Sequence, residues 1–330
     1  MRKSSILLTG LIAASLLVGC NSKDDGDTED KLLIAVIPKS TGNEFWETVH
    51  KGADTAAAEH GVKIRWEGTL SETDIAEQNK IIENMVTLGV DGMCLAPLNQ
   101  KVMAKSVNNV VAAGIPVVIF DSDVDTDKKT SFVATNNKRG GELGAQHLME
   151  LLGGKKGAKI IVLRYLQGTM STEERAAGCI DAIKAAGAEL LAAPYPEGGA
   201  IEGSKIVAAN TLEMHVHDKK LQVDGIFACN LIATLGMSAA LDDLRKSGVT
   251  VETKFVGFDT SPKLVKALQK GKIDALVSQD PKRMGYLAVD TLVKHLRGEK
   301  VETFTDTGVE LVTKERLEKE EAIRELVGLK

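Results

Sequence analysis

Polar and aromatic side chains gather in this chain just beyond short apolar runs. Lys39, Asn43, Phe45 and Trp46 follow the run 32–37, and Asp121, Ser122 and Asp123 follow the run 116–120. Arg175 lies at the start of a helical stretch, and Asn230, Asp259 and Gln279 come within two residues of the runs 225–228, 254–258 and 273–277. Carboxylates, amides and an arginine suit a polyhydroxy solute, because each hydroxyl both donates and accepts, while an aromatic face covers the C–H side of a sugar ring. Each residue taken alone has an ordinary use: an Asp after a strand caps a helix or shapes a turn, and Phe45 and Trp46 fit a core. The same chemistry at five separate strand ends and one helix points to one cleft.

Other chemistries fit less well. Asp121, Asp123, Asp125 and Asp127 alternate like a calcium loop, but the sixth and twelfth positions are Thr126 and Phe132 rather than Gly and Glu. His215 and His217 follow a helical segment and precede charged residues, so they read as surface histidines. The stretch 153–157 lacks phosphate-loop spacing, and Gly140, Gly141 and Gly144 do not form a dinucleotide fingerprint. No nucleophile and base stand together, so no catalytic residue, metal or cofactor is expected and the chain reads as a binding protein, not an enzyme. A carboxylate pair could in principle hydrolyse a glycoside, which keeps an enzyme as the third alternative.

The elements that must position these residues follow from periodicity. Strands are expected over 32–37, 62–66, 92–96, 116–120, 159–163, 189–192, 225–228, 254–258 and 273–277. Between them, apolar residues recur every three or four positions, as at Phe45, Val49, Ala53 and Ala56. Helices are therefore expected over 44–59, 73–88, 100–113, 138–152, 172–186, 203–214, 233–246, 262–269 and 283–296. Gly61, Gly89, Gly114, Gly187 and Gly248 stand where helices should stop. The alternation runs through two consecutive sets, which predicts an α/β protein of two lobes. In open α/β sheets ligands bind beyond the carboxyl ends of the strands, where the polar residues cluster.

The N-terminus carries Arg2 and Lys3, an apolar run over 6–18, then Gly19 and Cys20. This is the layout of an export signal over 1–19, and the apolar run falls short of the roughly 20 residues needed to span a bilayer. The acidic stretch 20–31 reads as a flexible tether. The full chain has a formal charge of −5, and loss of Arg2 and Lys3 takes it to −7, a poor match for nucleic acid. Cys94, Cys179 and Cys229 sit in apolar or helical patterns, are odd in number and read as buried free thiols.

Several motifs resemble the type I periplasmic sugar-binding proteins of the ribose-binding group. They are Asn43-Glu44-Phe45-Trp46, Phe120-Asp121, Arg175-Ala176-Ala177-Gly178, Phe227-Ala228-Cys229-Asn230, Val256-Gly257-Phe258-Asp259 and Ser278-Gln279-Asp280-Pro281. Leu17-Val18-Gly19-Cys20 likewise resembles a bacterial lipobox, which implies lipidation of Cys20. The family resemblance implies two doubly wound parallel-sheet lobes joined by a three-stranded hinge near 135–136, 279–280 and 307–308. The lobes would comprise 32–135 with 280–307, and 136–279 with 308–330. It further implies that Asn43, Asp121, Arg175, Asn230, Asp259 and Gln279 hydrogen-bond the ligand and that Phe45 and Trp46 stack on it.

Lys39 with Asp121 and Asp123 is similar to relatives that bind autoinducer-2. Ser122 replaces an arginine of ribose binders, Leu231 replaces an aspartate of many relatives, and the second lobe's expected aromatic near 195–200 has only Tyr195 close by. The implied ligand is a small sugar, polyol or cyclitol. The implied partner is an ABC import permease, reached by a monomer tied to the cell envelope through its lipid; a chemoreceptor or sensor kinase is the alternative.

Overall fold

The computed structural model describes residues 31–329. The signal segment, Cys20 and nearly all of the expected tether lie outside these residues. From the N-terminal side the chain runs β1 (Leu33–Ile37), α1 (Glu44–His60), β2 (Lys63–Trp66), α2 (Ile75–Leu88), β3 (Gly92–Leu95), α3 (Ala104–Ala112), β4 (Val117–Phe120) and β5 (Ser131–Ala134). It continues with α4 (Asn137–Leu151), β6 (Lys159–Leu163), α5 (Met170–Ala185), β7 (Glu189–Ala192), α6 (Ile201–Glu213) and the small hairpin β8 (Val216–His217) and β9 (Lys220–Leu221). Then follow β10 (Gly225–Ala228), α7 (Leu231–Lys246), β11 (Lys254–Phe258), α8 (Pro262–Gln269), β12 (Ala275–Gln279) and α9 (Pro281–Leu296). The chain closes with β13 (Phe304–Asp306), β14 (Val309–Thr313), α10 (Lys314–Lys319) and α11 (Glu321–Leu326).

Two six-stranded sheets result, in the orders β2-β1-β3-β4-β5-β13 and β7-β6-β10-β11-β12-β14. The orders match position for position, so the two sets of βα alternation fold into two copies of one architecture. Pairing is parallel throughout both sheets except where β14 runs antiparallel to β12. Apolar clusters cover both faces of each sheet, as strands buried on both sides require. Helix ends obey local chemistry: Asn43 caps α1, and Gly61 ends it in the left-handed region at φ 68°.

The chain passes between the sheets three times, between β5 and α4, between β12 and α9, and between β13 and β14. One hydroxyl ties the three passages together. Thr135 Oγ1 donates to Gln279 Oε1 at 2.9 Å and lies 3.2 Å from Thr307 Oγ1.

The expected strands and helices form, with shifts at their ends. The last expected strand, 273–277, instead spans β12, which places Gln279 inside the strand rather than after it. Helix α5 begins at Met170, so Arg175 lies more than a turn inside it rather than at its start. Strands β5, β13 and β14, the hairpin and the last two helices have no counterpart among the expected elements. Each of the first three pairs with a residue run distant in sequence, a stabilisation local periodicity does not reveal. Cys94, Cys179 and Cys229 are buried free thiols, as expected.

Candidate functional site

A small cavity of about 30 Å³ lies between the carboxyl ends of the two sheets. The first sheet supplies Lys39 beyond β1, Asp121 beyond β4, and Asn43, Phe45 and Trp46 from the start of α1; Glu72 comes from the β2–α2 loop. The second supplies Tyr165, Thr169, Ser171, Thr172 and Arg175 between β6 and α5, Asn230, Leu231 and Ile232 beyond β10, Asp259 beyond β11, and Gln279. In each sheet the strand order turns back between the first strand and its inner neighbour, which is where such sheets offer a crevice.

Two asparagines are fixed by capping. Asn43 Oδ1 accepts from the Phe45 and Trp46 amides at 3.1 and 3.2 Å, and Asn230 Oδ1 accepts from the Ala233 amide at 2.9 Å. Each keeps its side-chain NH₂ as a donor. Trp46 is only 2% exposed and meets Phe45 and Phe120 edge to face, with its Nε1 donating to Glu72 Oε1 at 2.8 Å. It is a core residue that also forms cavity wall. Phe45 packs against the cores of both sheets.

Lys39 is buried and pairs with Asp121 at 2.5 Å while donating to Ser122 Oγ at 2.6 Å. Arg175, also buried, lies over the Phe258 ring at 3.9 Å, donates to Asn137 Oδ1 at 2.8 Å and to the Cys229 carbonyl at 3.2 Å, and faces Asp259 at 3.9 Å. Its Nη2 has no protein partner, an unusual state for a buried cationic donor. Asp259 accepts from the Leu231 amide at 2.8 Å and from Gln279 Nε2 at 2.7 Å. Burial nonetheless raises its pKa, against the lowering influence of Arg175. Burial likewise raises the pKa of Glu72, opposed by Lys39 and the Trp46 hydrogen bond.

Lys39, Asn43, Phe45, Trp46, Asp121, Arg175, Asn230, Asp259 and Gln279 are thus brought together as wall residues. Ser122 corrects the expectation. Its short side chain turns to the boundary between the lobes, where it donates to Ser171 Oγ at 2.7 Å, and Ser171 takes the place on the wall. Asp123 also stays off the wall, paired with Lys129 at 3.0 Å. Tyr195 bonds Glu173 and lies under Arg164, so the aromatic that the second lobe contributes is Tyr165. Tyr165 stands two residues beyond β6, and the strand-end rule would have found it. Glu72, in a loop not expected to face the cleft, carried no such signal.

Among the described residues no group of His, Cys, Asp and Glu could hold a metal, and no helix is long and apolar enough to cross a membrane.

Two lobes of matching topology with polar groups converging between them define a two-lobed solute-binding protein. The periplasmic binding protein domain family matches residues 34–300, and the chain belongs to it. It is 30% identical over 320 residues to the D-ribose/D-allose-binding protein of Pseudomonas aeruginosa, covering 92% of this chain and 97% of that protein. A carbohydrate-transporter solute-binding protein of Agrobacterium radiobacter, solved with D-arabinose, superposes with a TM-score of 0.83 at 30% identity, covering 91% of this chain and all of the other. An ABC transporter solute-binding protein of Agrobacterium vitis, solved with D-fucose, gives 0.81 at 34% identity over 88% of this chain and 98% of that one. The fold is that of the type I periplasmic sugar-binding proteins, as the motifs implied. These relatives are binding proteins, which agrees with a role in binding rather than catalysis.

Proposed function

We propose that this protein captures a small sugar or sugar-like polyol between its lobes and delivers it to an ABC import permease, from an extracytoplasmic position held by lipid on Cys20. One observation carries the reading: donors and acceptors from both sheets line a single cavity together with the aromatic residues Phe45, Trp46 and Tyr165. A hydroxylated ring satisfies such a wall, whereas an apolar ligand would leave buried polar groups unpaired at about 1–3 kcal/mol each. The relatives solved with D-arabinose and D-fucose support a monosaccharide-sized ligand.

In this mechanism the ligand bonds first to one lobe and then bridges both, so closure is favoured by contacts that exist only in the closed form. The closed shape is what the permease recognises. A thermal-shift screen of pentoses, hexoses, polyols, cyclitols and autoinducer-2, followed by calorimetry, tests the binding step. The expected result is one stabilising class bound without turnover. Catalytic conversion of that ligand, or no binding in the whole set, would overturn the proposal. Loss of uptake of the labelled ligand on gene deletion tests delivery, and binding with uptake intact would assign the protein to sensing instead. For the anchor, Cys20→Ser should move the exported protein from the membrane fraction to the soluble one.

A further inference from the structure

The charges on the cavity wall do not balance. Lys39 and Arg175 stand against Asp121, Asp259 and Glu72. Arg175 faces Asp259, and Lys39 is committed to Asp121 while also donating to Ser122 and Ser171. The third carboxylate is left without a cation of its own. The groups that reach the Glu72 carboxyl are neutral: Trp46 Nε1 donates to it at 2.8 Å and the Tyr165 hydroxyl lies beside it. The neighbouring Tyr165 hydroxyl directs its proton to the Gly199 carbonyl at 2.9 Å. Burial also raises the proton affinity of Glu72, a cost that Lys39 and the Trp46 hydrogen bond only oppose. A ligand of hydroxyls alone leaves this surplus in place. A protonated nitrogen seated against Glu72 cancels it in a water-poor cavity, where a charged hydrogen bond is stronger than one between neutral groups.

We propose that Glu72 makes the site selective for polyols that carry a basic nitrogen, with the ammonium against Glu72 and the hydroxyls held by Asp121, Arg175 and Asp259. This rests on reading the cavity as a polyol site, and it assigns the substrate class within that reading. Glu72 is the specificity determinant, because it adds the one formal charge that a neutral sugar does not need.

The test is calorimetry at neutral pH with D-glucosamine, D-galactosamine and an amino-inositol, each against its neutral parent, on the full chain and on Glu72→Gln. In the parent protein at least one amine binds about tenfold or more tightly than its neutral counterpart. Glu72→Gln, which keeps an acceptor for Trp46 Nε1, erases that preference, so that each amine and its neutral parent bind within about threefold of each other. Neutral parents binding as tightly as their amines in the unmodified protein overturn the inference, whether or not the variant folds, and leave the polyol reading standing. A preference that survives in Glu72→Gln overturns it equally. If none of the amines binds, this inference falls, and the polyol reading stands or falls on the wider screen of pentoses, hexoses, polyols and cyclitols.

Discussion

Asp121 and Asp259 end β4 and β11 in the left-handed region, with φ of 63° and 68°. This is a conformation that aspartate tolerates better than most side chains. The same backbone turn at equivalent places in the two sheets swings both carboxylates into the cavity, each beside a buried cation. At the second site the counter-charge is Arg175, and Arg175→Met tests the pairing. The substitution keeps bulk over Phe258 but leaves the Asn137 Oδ1 and the Cys229 carbonyl without their donor and Asp259 without its cation. Removing one member of a buried pair costs about 3–5 kcal/mol, so the unfolding midpoint should drop and ligand binding should be lost.

The pH dependence has a definite sign. Asp259 already takes up its proton more readily folded than unfolded, and loss of Arg175 strengthens this. Through the window from the ordinary carboxylate range up to that raised value, the native state binds more protons, so stability falls as pH rises. The deficit of Arg175→Met should therefore shrink as the pH is lowered into that window. A deficit independent of pH in thermal unfolding would show that Asp259 is not its partner.

At the level of elements, Arg175 is placed by how closely α5 approaches α4. A Cβ on Gly141 of α4 would overlap the Arg175 carbonyl, and one on Gly178 of α5 would overlap the Lys138 carbonyl. In the other lobe Gly52 of α1 and Gly285 of α9 make the same kind of reciprocal contact, with the Lys282 and Val49 carbonyls. Gly141→Ala should cost about 1–3 kcal/mol of overpacking, offset by about 1 kcal/mol of helix propensity, and should displace Arg175. Gly52→Ala carries the same packing cost at a helix pair that does not hold Arg175. Both should lower the unfolding midpoint, but calorimetry should show the larger loss of affinity for Gly141→Ala; equal losses would mean that the α4–α5 contact does not position the arginine.

The helix-ending glycines, such as Gly61, and the strand ends were visible in the sequence because apolar runs and helix stops are local signals, and so most of the wall was legible from Lys39 to Asp259. Glu72 was not, because its place depends on how a loop folds over α1. Ser122 misled because a strand-end position says nothing about which way a short side chain turns. Strand β5 was missed because its pairing with β4 and β13 is fixed by residues far along the chain.

For the molecule as a whole, the cavity is bounded by contacts that link one lobe to the other without involving a ligand. Thr169 Oγ1 donates to the Leu98 carbonyl at 3.1 Å, the Gln100 amide to the Gly168 carbonyl at 3.0 Å, and Ser122 Oγ to Ser171 Oγ at 2.7 Å. On the opposite side the Thr135 hydroxyl joins the three passages, and Gln279, bonded to it, also donates to Asp259. One amide thus connects the hinge to the wall, so the angle between the lobes and the arrangement of the site are not independent. If closure is the signal, each direct contact between the lobes sets the free-energy gap between open and closed forms, and apparent affinity scales with the closed fraction.

Ser122 reports on this effect because its own side chain lies off the wall, where it accepts from Lys39 as well as meeting Ser171. Ser122→Ala removes two hydrogen bonds made across the lobes, to the Ser171 hydroxyl at 2.7 Å and from the Ser171 amide at 3.2 Å, together worth about 1–3 kcal/mol net. Affinity should therefore fall by about five- to a hundredfold, expressed mainly as faster dissociation, since the contacts form after the ligand has entered. The unfolding midpoint of the ligand-free protein should change little, because each lobe keeps its own core. Stopped-flow dissociation together with small-angle scattering checks both parts: the ligand-bound variant should dissociate faster and populate a more open form. Unchanged dissociation would mean that the lobes close through the ligand alone, with the Ser122–Ser171 contact merely accompanying it.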